Sequence, residues 1–134
     1  MDDRAAAVAA RLGWEAPGTP EVLADRWVAE LDRHGLARCA LIASIPSDET
    51  SVGVAVAKHP ARFVGFFMFN PMAADAGMRL EHALGELRLR AVALFPAMHR
   101  YRLDDEAVSQ VFVAAAAHGA AVFARPRARP SPAR

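Results

Sequence analysis

Four consecutive residues, His99-Arg100-Tyr101-Arg102, gather an imidazole, a phenol and two guanidiniums. Donors of that kind can bind a carboxylate or polarise a carbonyl. The same residues can instead hold a loop against the segment that follows, with Arg100 and Arg102 pairing Asp104 and Asp105. The remaining histidines read as structural. His34, His59 and His118 each fall in the last turn of an expected helix, where an imidazole can meet terminal carbonyls and the negative end of the dipole. His82 falls inside a helix, opposite Leu80 and Leu84, and is expected to be solvated. No His-x-His, His-Glu-x-x-His or cysteine pair is present, and one His among distant carboxylates makes a poor metal site, so no metal is expected in this chain. Glycine-rich phosphate loops of the G-x-x-x-x-G-K-[ST] or G-x-G-x-x-G type are absent, as is a G-x-S-x-G elbow.

The elements that must position these residues alternate along the chain. CALIASI (39–45), FVGFFMF (63–69), AVALF (91–95) and AAVFA (120–124) are short and almost continuously apolar. Strands of a parallel sheet covered on both faces read this way. Helical patterns lie between them. Thr19 caps one with Pro20 in its first position, and Ala24, Trp27, Val28 and Leu31 share a face that Gly35 closes. Ser47 is the expected cap of the next, with Asp48 and Glu49 in its first turn and Pro60 as its stop. Asp75 caps a third, which puts Leu80, Ala83, Leu84 and Leu87 on one face. Asp104 or Asp105 caps a fourth, with Val108, Val111, Phe112 and Ala115 on one face and Gly119 at its end. Residues 4–12 suit a further short helix.

The order is therefore helix, then βαβαβαβ, with gaps long enough for parallel crossovers of about a dozen residues or more. Two architectures fit: half of a (β/α)8 TIM barrel, or a small open doubly wound sheet. Either one places ligands beyond the carboxyl ends of the strands. The segments there are Pro46-Ser47-Asp48-Glu49, Asn70-Pro71, the loop from Pro96 to Arg102, and Arg125.

The chain of 134 residues suits one domain, expected over 1–124, and its 54% hydrophobic content argues against disorder throughout. Residues 125–134 read as a disordered tail rich in Arg and Pro. Arg125, Arg127, Arg129 and Arg134 outweigh the net charge of +1, leaving −3 on the rest. Without aromatic residues for base stacking, that tail makes a nucleic-acid partner unlikely to be its purpose. Cys39 is the lone cysteine, sits in an apolar run and reads as a small buried hydrophobe. It cannot form an intramolecular disulfide, which fits a reducing, cytoplasmic setting. No apolar stretch approaches the ~18 residues of a membrane span, and the acidic start, MDDRAAAVAARLGW, is unlike a signal peptide.

Three segments resemble one family. LRAVALFPAMHRYRLDDEAVSQVFVAAAAHGAAVFA (89–124) is similar to the "G-(V/I)-x-L-x-P" strand, "Y-x-L-D-D" loop, alanine-rich helix and "V-x-V-H" strand of the amidohydrolase-related metal-dependent hydrolases and decarboxylases. HPARFVGFFMFNP (59–71) resembles that family's "HPDRFVGF…(D/N)-P" strand. LDRHGLARCALIASIPSDETSVGVAVAKHP (31–60) resembles its "M-D-x-x-G-V-x-x-A-V-L" strand and following helix. The resemblance spans roughly residues 22–124 and implies a (β/α)8 barrel. It also implies a small-molecule substrate, a divalent metal (Zn or similar) in the full-length enzyme, and hydrolysis of a C–N or C–O bond or decarboxylation of an aromatic or unsaturated acid. In such an enzyme the third loop faces substrate. His99 would be the catalytic hydrogen-bond donor or acid, and Tyr101 and Arg102 would bind and orient the substrate.

The chain departs from the family at its ligands. Nothing before residue 39 is a strand bearing His-x-His. Arg125 stands where "V-x-V-H" has its His, and a protonated guanidinium offers no lone pair. Beyond it the family continues through three more βα units, where this chain has PRARPSPAR. The expectation is a barrel fragment that is inactive alone. The alternative is a non-catalytic half-barrel module that homodimerises to cover its edge strands.

Overall fold

Each of the four apolar runs folds as a parallel strand. The computed structural model describes residues 3–45 and 48–125. The expected tail from 126 onward lies outside the described residues, as do Pro46 and Ser47. The strands are β1 (Cys39–Ala43), β2 (Phe63–Phe69), β3 (Ala91–Leu94) and β4 (Ala121–Ala124). They form one sheet in the sequential order β1-β2-β3-β4. Cys39 pairs with Phe63, Phe66 with Ala91 and Ala91 with Ala121.

Helices fill the gaps: α1 (Asp3–Arg11), α2 (Pro20–Arg33), α3 (Glu49–Lys58), α4 (Ala76–Glu81), α5 (Pro96–His99) and α6 (Glu106–Ala117). Thr19 caps α2 as expected, its hydroxyl accepting from the Val22 N–H at 3.4 Å. Gly35 ends the helix with a φ of 65°, a left-handed conformation that glycine adopts without a Cβ penalty. His34, His59 and His118 occupy the C-cap positions of α2, α3 and α6. The N-cap of α3 is Asp48 rather than the expected Ser47. α4 runs on into a π-helical turn over His82–Glu86, and Arg88 then reverses the chain at a φ of 54°. That reversal returns Leu89 to the core, where it is fully buried.

Sequential order with right-handed crossovers puts every crossover helix on one face of the sheet. Phe67, Phe69, Val92 and Leu94 point to that face and pack with Leu80, Leu84, Val108 and Val111. A smaller cluster under α2 joins Ala24, Leu31, Ala55 and Phe63. Gly65 lies on the same face because a Cβ there would strike the Leu89 side chain and stand 3.1 Å from Val52 and Val56.

The opposite face corrects a sequence expectation. All four strands were expected to be covered on both sides, yet β2 alternates buried and half-buried residues, and only β3 is buried throughout. Ile42 is 55% exposed and Phe123 53% exposed. Two helix positions assigned to core faces are also half exposed, Trp27 on α2 at 48% and Phe112 on α6 at 49%. The 3.6-residue period counted them as interior, but the described residues supply no neighbour to cover them. None of the described helices is long and apolar enough to cross a membrane.

Candidate functional site

The carboxyl ends of β2, β3 and β4 stand side by side, because Phe69, Leu94 and Ala124 are in register. Asn70, Phe95 and Arg125 follow them directly. The Arg125 N–H donates to the Leu94 carbonyl at 3.0 Å, extending the ladder by one bond. Asn70 closes its own turn, its Oδ1 accepting from the Met72 N–H at 3.0 Å.

The third loop is built by α5. Pro96 opens this one-turn helix, where a missing N–H costs nothing. The N–H groups of Met98 and His99 both donate to the Phe95 carbonyl at 3.0 Å. Arg100 adopts left-handed angles (φ 58°, ψ 48°), a conformation with a real cost for a residue bearing a Cβ. The reversal turns Tyr101 inward, where it is 8% exposed and joins the main core.

The His99 and Tyr101 rings lie nearly parallel, 16° apart in plane with centroids separated by 6.4 Å. Among the described residues, the His99 Nδ1 and the Tyr101 hydroxyl are buried without a hydrogen-bond partner. Burial pushes the Tyr101 phenol up to about 12, outweighing the opposing effect of the Phe95 backbone. A neutral phenol and an uncommitted imidazole nitrogen are thus held in adjacent positions.

Arg102 lies elsewhere. Its Nε and Nη2 donate to the two Asp104 carboxylate oxygens at 2.8 Å, and its N–H donates to Asp105 at 2.8 Å. The bidentate bond raises the Arg102 pKa and holds the Asp104 carboxyl below its usual range. The fork is therefore spent on the local turn, in solvent. Arg100 is exposed. The loop brings His99 and Tyr101 together and leaves both arginines outside.

Four of the five histidines have acidic neighbours of their own. His59 Nε2 lies 2.7 Å from Asp25, His118 Nε2 2.9 Å from Glu81, His82 Nδ1 3.1 Å from Glu86, and His34 Nε2 3.8 Å from Glu30. Among the described residues no group of three or more His, Cys, Asp or Glu side chains converges on one point. The donors at the carboxyl edge therefore do not fit the divalent ion that the family resemblance implies. Cys39 is partly buried, and burial raises its thiol pKa, the opposite of what a nucleophile needs.

Sequence reasoning missed one feature at this edge. Glu49, in the first turn of α3, is buried and bonds to Arg79 of α4. Reading Glu49 as a residue facing the helix dipole gave no hint of a partner thirty positions along. A groove of about 390 Å³ opens between α2 and the free edge of β1, lined by Leu23, Trp27, Leu41, Ile42, Asp48 and Val52 among others. It does not reach His99.

Comparison with protein-family models, with curated proteins and with solved structures found no match to this chain.

Proposed function

We propose that this chain is four consecutive βα units of an amidohydrolase-related (β/α)8 barrel, and that it does not catalyse by itself. The strand order carries this reading. A doubly wound sheet reverses its order at a switch point and places helices on both faces. Here the order runs 1-2-3-4, the arrangement of consecutive barrel strands. Two of the three segments that resemble the family support it. HPARFVGF leads into β2, the "L-x-P" match ends β3 at Leu94-Phe95-Pro96, and the "Y-x-L-D-D" match is the turn before α6.

In a completed barrel His99 and Tyr101 would stand at the catalytic end. His99 serves as the hydrogen-bond donor or acid. Tyr101, kept neutral by burial, can donate to a substrate oxygen only by turning its hydroxyl out of the core. Arg102 can orient substrate only by exchanging its bond to Asp104. The lone Cys39 favours a cytoplasmic setting.

The test uses the purified 134-residue chain, loaded with zinc and then desalted. Metal content and turnover of an aryl amide, an aryl ester and a hydroxybenzoate are measured. We expect no stoichiometric metal and no turnover above buffer. A tightly held equivalent of metal with turnover would overturn the proposal.

A further inference from the structure

We infer that a second copy of this chain covers the face of the sheet that no described helix covers. The two copies close one eight-stranded parallel barrel, with β4 of each pairing with β1 of the other. This rests on reading the sheet as consecutive strands of a (β/α)8 barrel.

Three observations carry it. The first is that face itself. Ile42, Phe66, Met68 and Phe123 project there, with Ala91 and Ala93 between the aromatic rings, and none of them is charged. The Phe66 and Phe123 rings touch across β3 at a centroid separation of 5.5 Å. Barrel interiors are filled in layers of four side chains drawn from alternate strands. Phe66 on β2 and Phe123 on β4 already form half of such a layer, and a two-fold axis along the barrel supplies the other half.

The second is the order of the layers. α2 precedes β1, and β4 follows α6. In a two-copy ring, α2 of one copy takes the crossover position between β4 of the other and its own β1. With α2, α3, α4 and α6 as the outer layer, and α1 and the one-turn α5 outside it, strands and helices then alternate eight times, and a two-fold contact of this kind closes on itself. The groove between α2 and β1 lies where the neighbouring β4 would pass.

The third is the half-exposed pair, Trp27 of α2 and Phe112 of α6. These sit on the two helices that end the outer layer. Closure makes those helices neighbours across the seam, which accounts for core-type residues standing at the surface. The free edges also match in sense. The Cys39 N–H donates to the Arg62 carbonyl on the β2 side, so Ala40 and Ile42 present their amides outward for a parallel partner.

The experiment is sedimentation and light scattering of the full chain over a hundredfold concentration range, with NMR contacts to read strand order. We expect a discrete dimer. Phe123→Asp and, separately, Phe112→Glu should weaken it at least about 30-fold, as loss of a buried aromatic anchor does. Both side chains are half exposed in one copy, so the monomers should keep native circular dichroism, and Val113→Glu on the outer surface of α6 serves as the control. A folded monomer at every concentration, open polymers, or a dimer indifferent to both substitutions overturns the inference. Strand order 1-2-3-4 in such a monomer would leave the barrel reading standing. A different order would sink that reading as well.

Discussion

At the residue scale the candidate site is a contrast between two orphaned atoms and two satisfied arginines. A buried hydroxyl without a partner costs free energy, and removing it while keeping the ring avoids that cost. Tyr101→Phe should therefore be neutral or stabilising, by up to about 1 kcal/mol in urea unfolding at pH 7. The phenol pKa is raised by folding, so its contribution is intact below the unfolded value of about 10 and is lost as pH climbs toward about 12. The substitution should flatten the alkaline limb of the stability profile over that window. A loss above 1 kcal/mol at pH 7 would mean that the hydroxyl has a partner after all. The His99–Tyr101 pairing was only partly legible. Their nearness in sequence was plain, but the left-handed Arg100 that turns one ring over the other has no signature in residue type. The Arg102–Asp104 bond was legible, as one of two uses for that guanidinium.

At the scale of elements, the contact between β2 and Leu89, just after the Arg88 reversal, tolerates no added atom. Gly65 is where Leu89 crosses the strand, and Leu89 is fully buried and cannot swing clear. Gly65→Ala should cost about 1–3 kcal/mol by overpacking. Adding Leu89→Ala should give a double variant more stable than the sum of the two single changes predicts, measured by a thermodynamic cycle in urea. Strict additivity would place Leu89 elsewhere. Strand positions were readable because apolar runs of this length, bounded by Pro46, Asn70-Pro71, Pro96 and Gly119, have few other uses. The capping of α2 was readable too, from Thr19-Pro20. The π-helical turn and the Glu49–Arg79 pair were not. One depends on how α4 meets its neighbours, the other on a contact between distant positions. The continuous apolar character of β1 and β4 was read as cover on both faces, whereas it marks one covered face and one that remains to be covered.

At the scale of the whole molecule, stability and assembly are coupled. If closure of the sheet buries the face around Phe66 and Phe123, the folded state is favoured by mass action. The melting temperature should then rise with protein concentration, by several degrees over a hundredfold range for a chain of this size. Scanning calorimetry at fixed heating rate checks this, and an invariant midpoint would argue against it.

The outer strands have a consequence of their own. Cys39–Ala43 and Ala121–Ala124 bound a sheet whose strands all run one way, so each added molecule satisfies one rim and offers an identical rim beyond it. Growth by that rule has no built-in stop unless the arc returns to its origin. The curvature of the sheet therefore sets more than local packing: it selects between a finite particle and an endless thread.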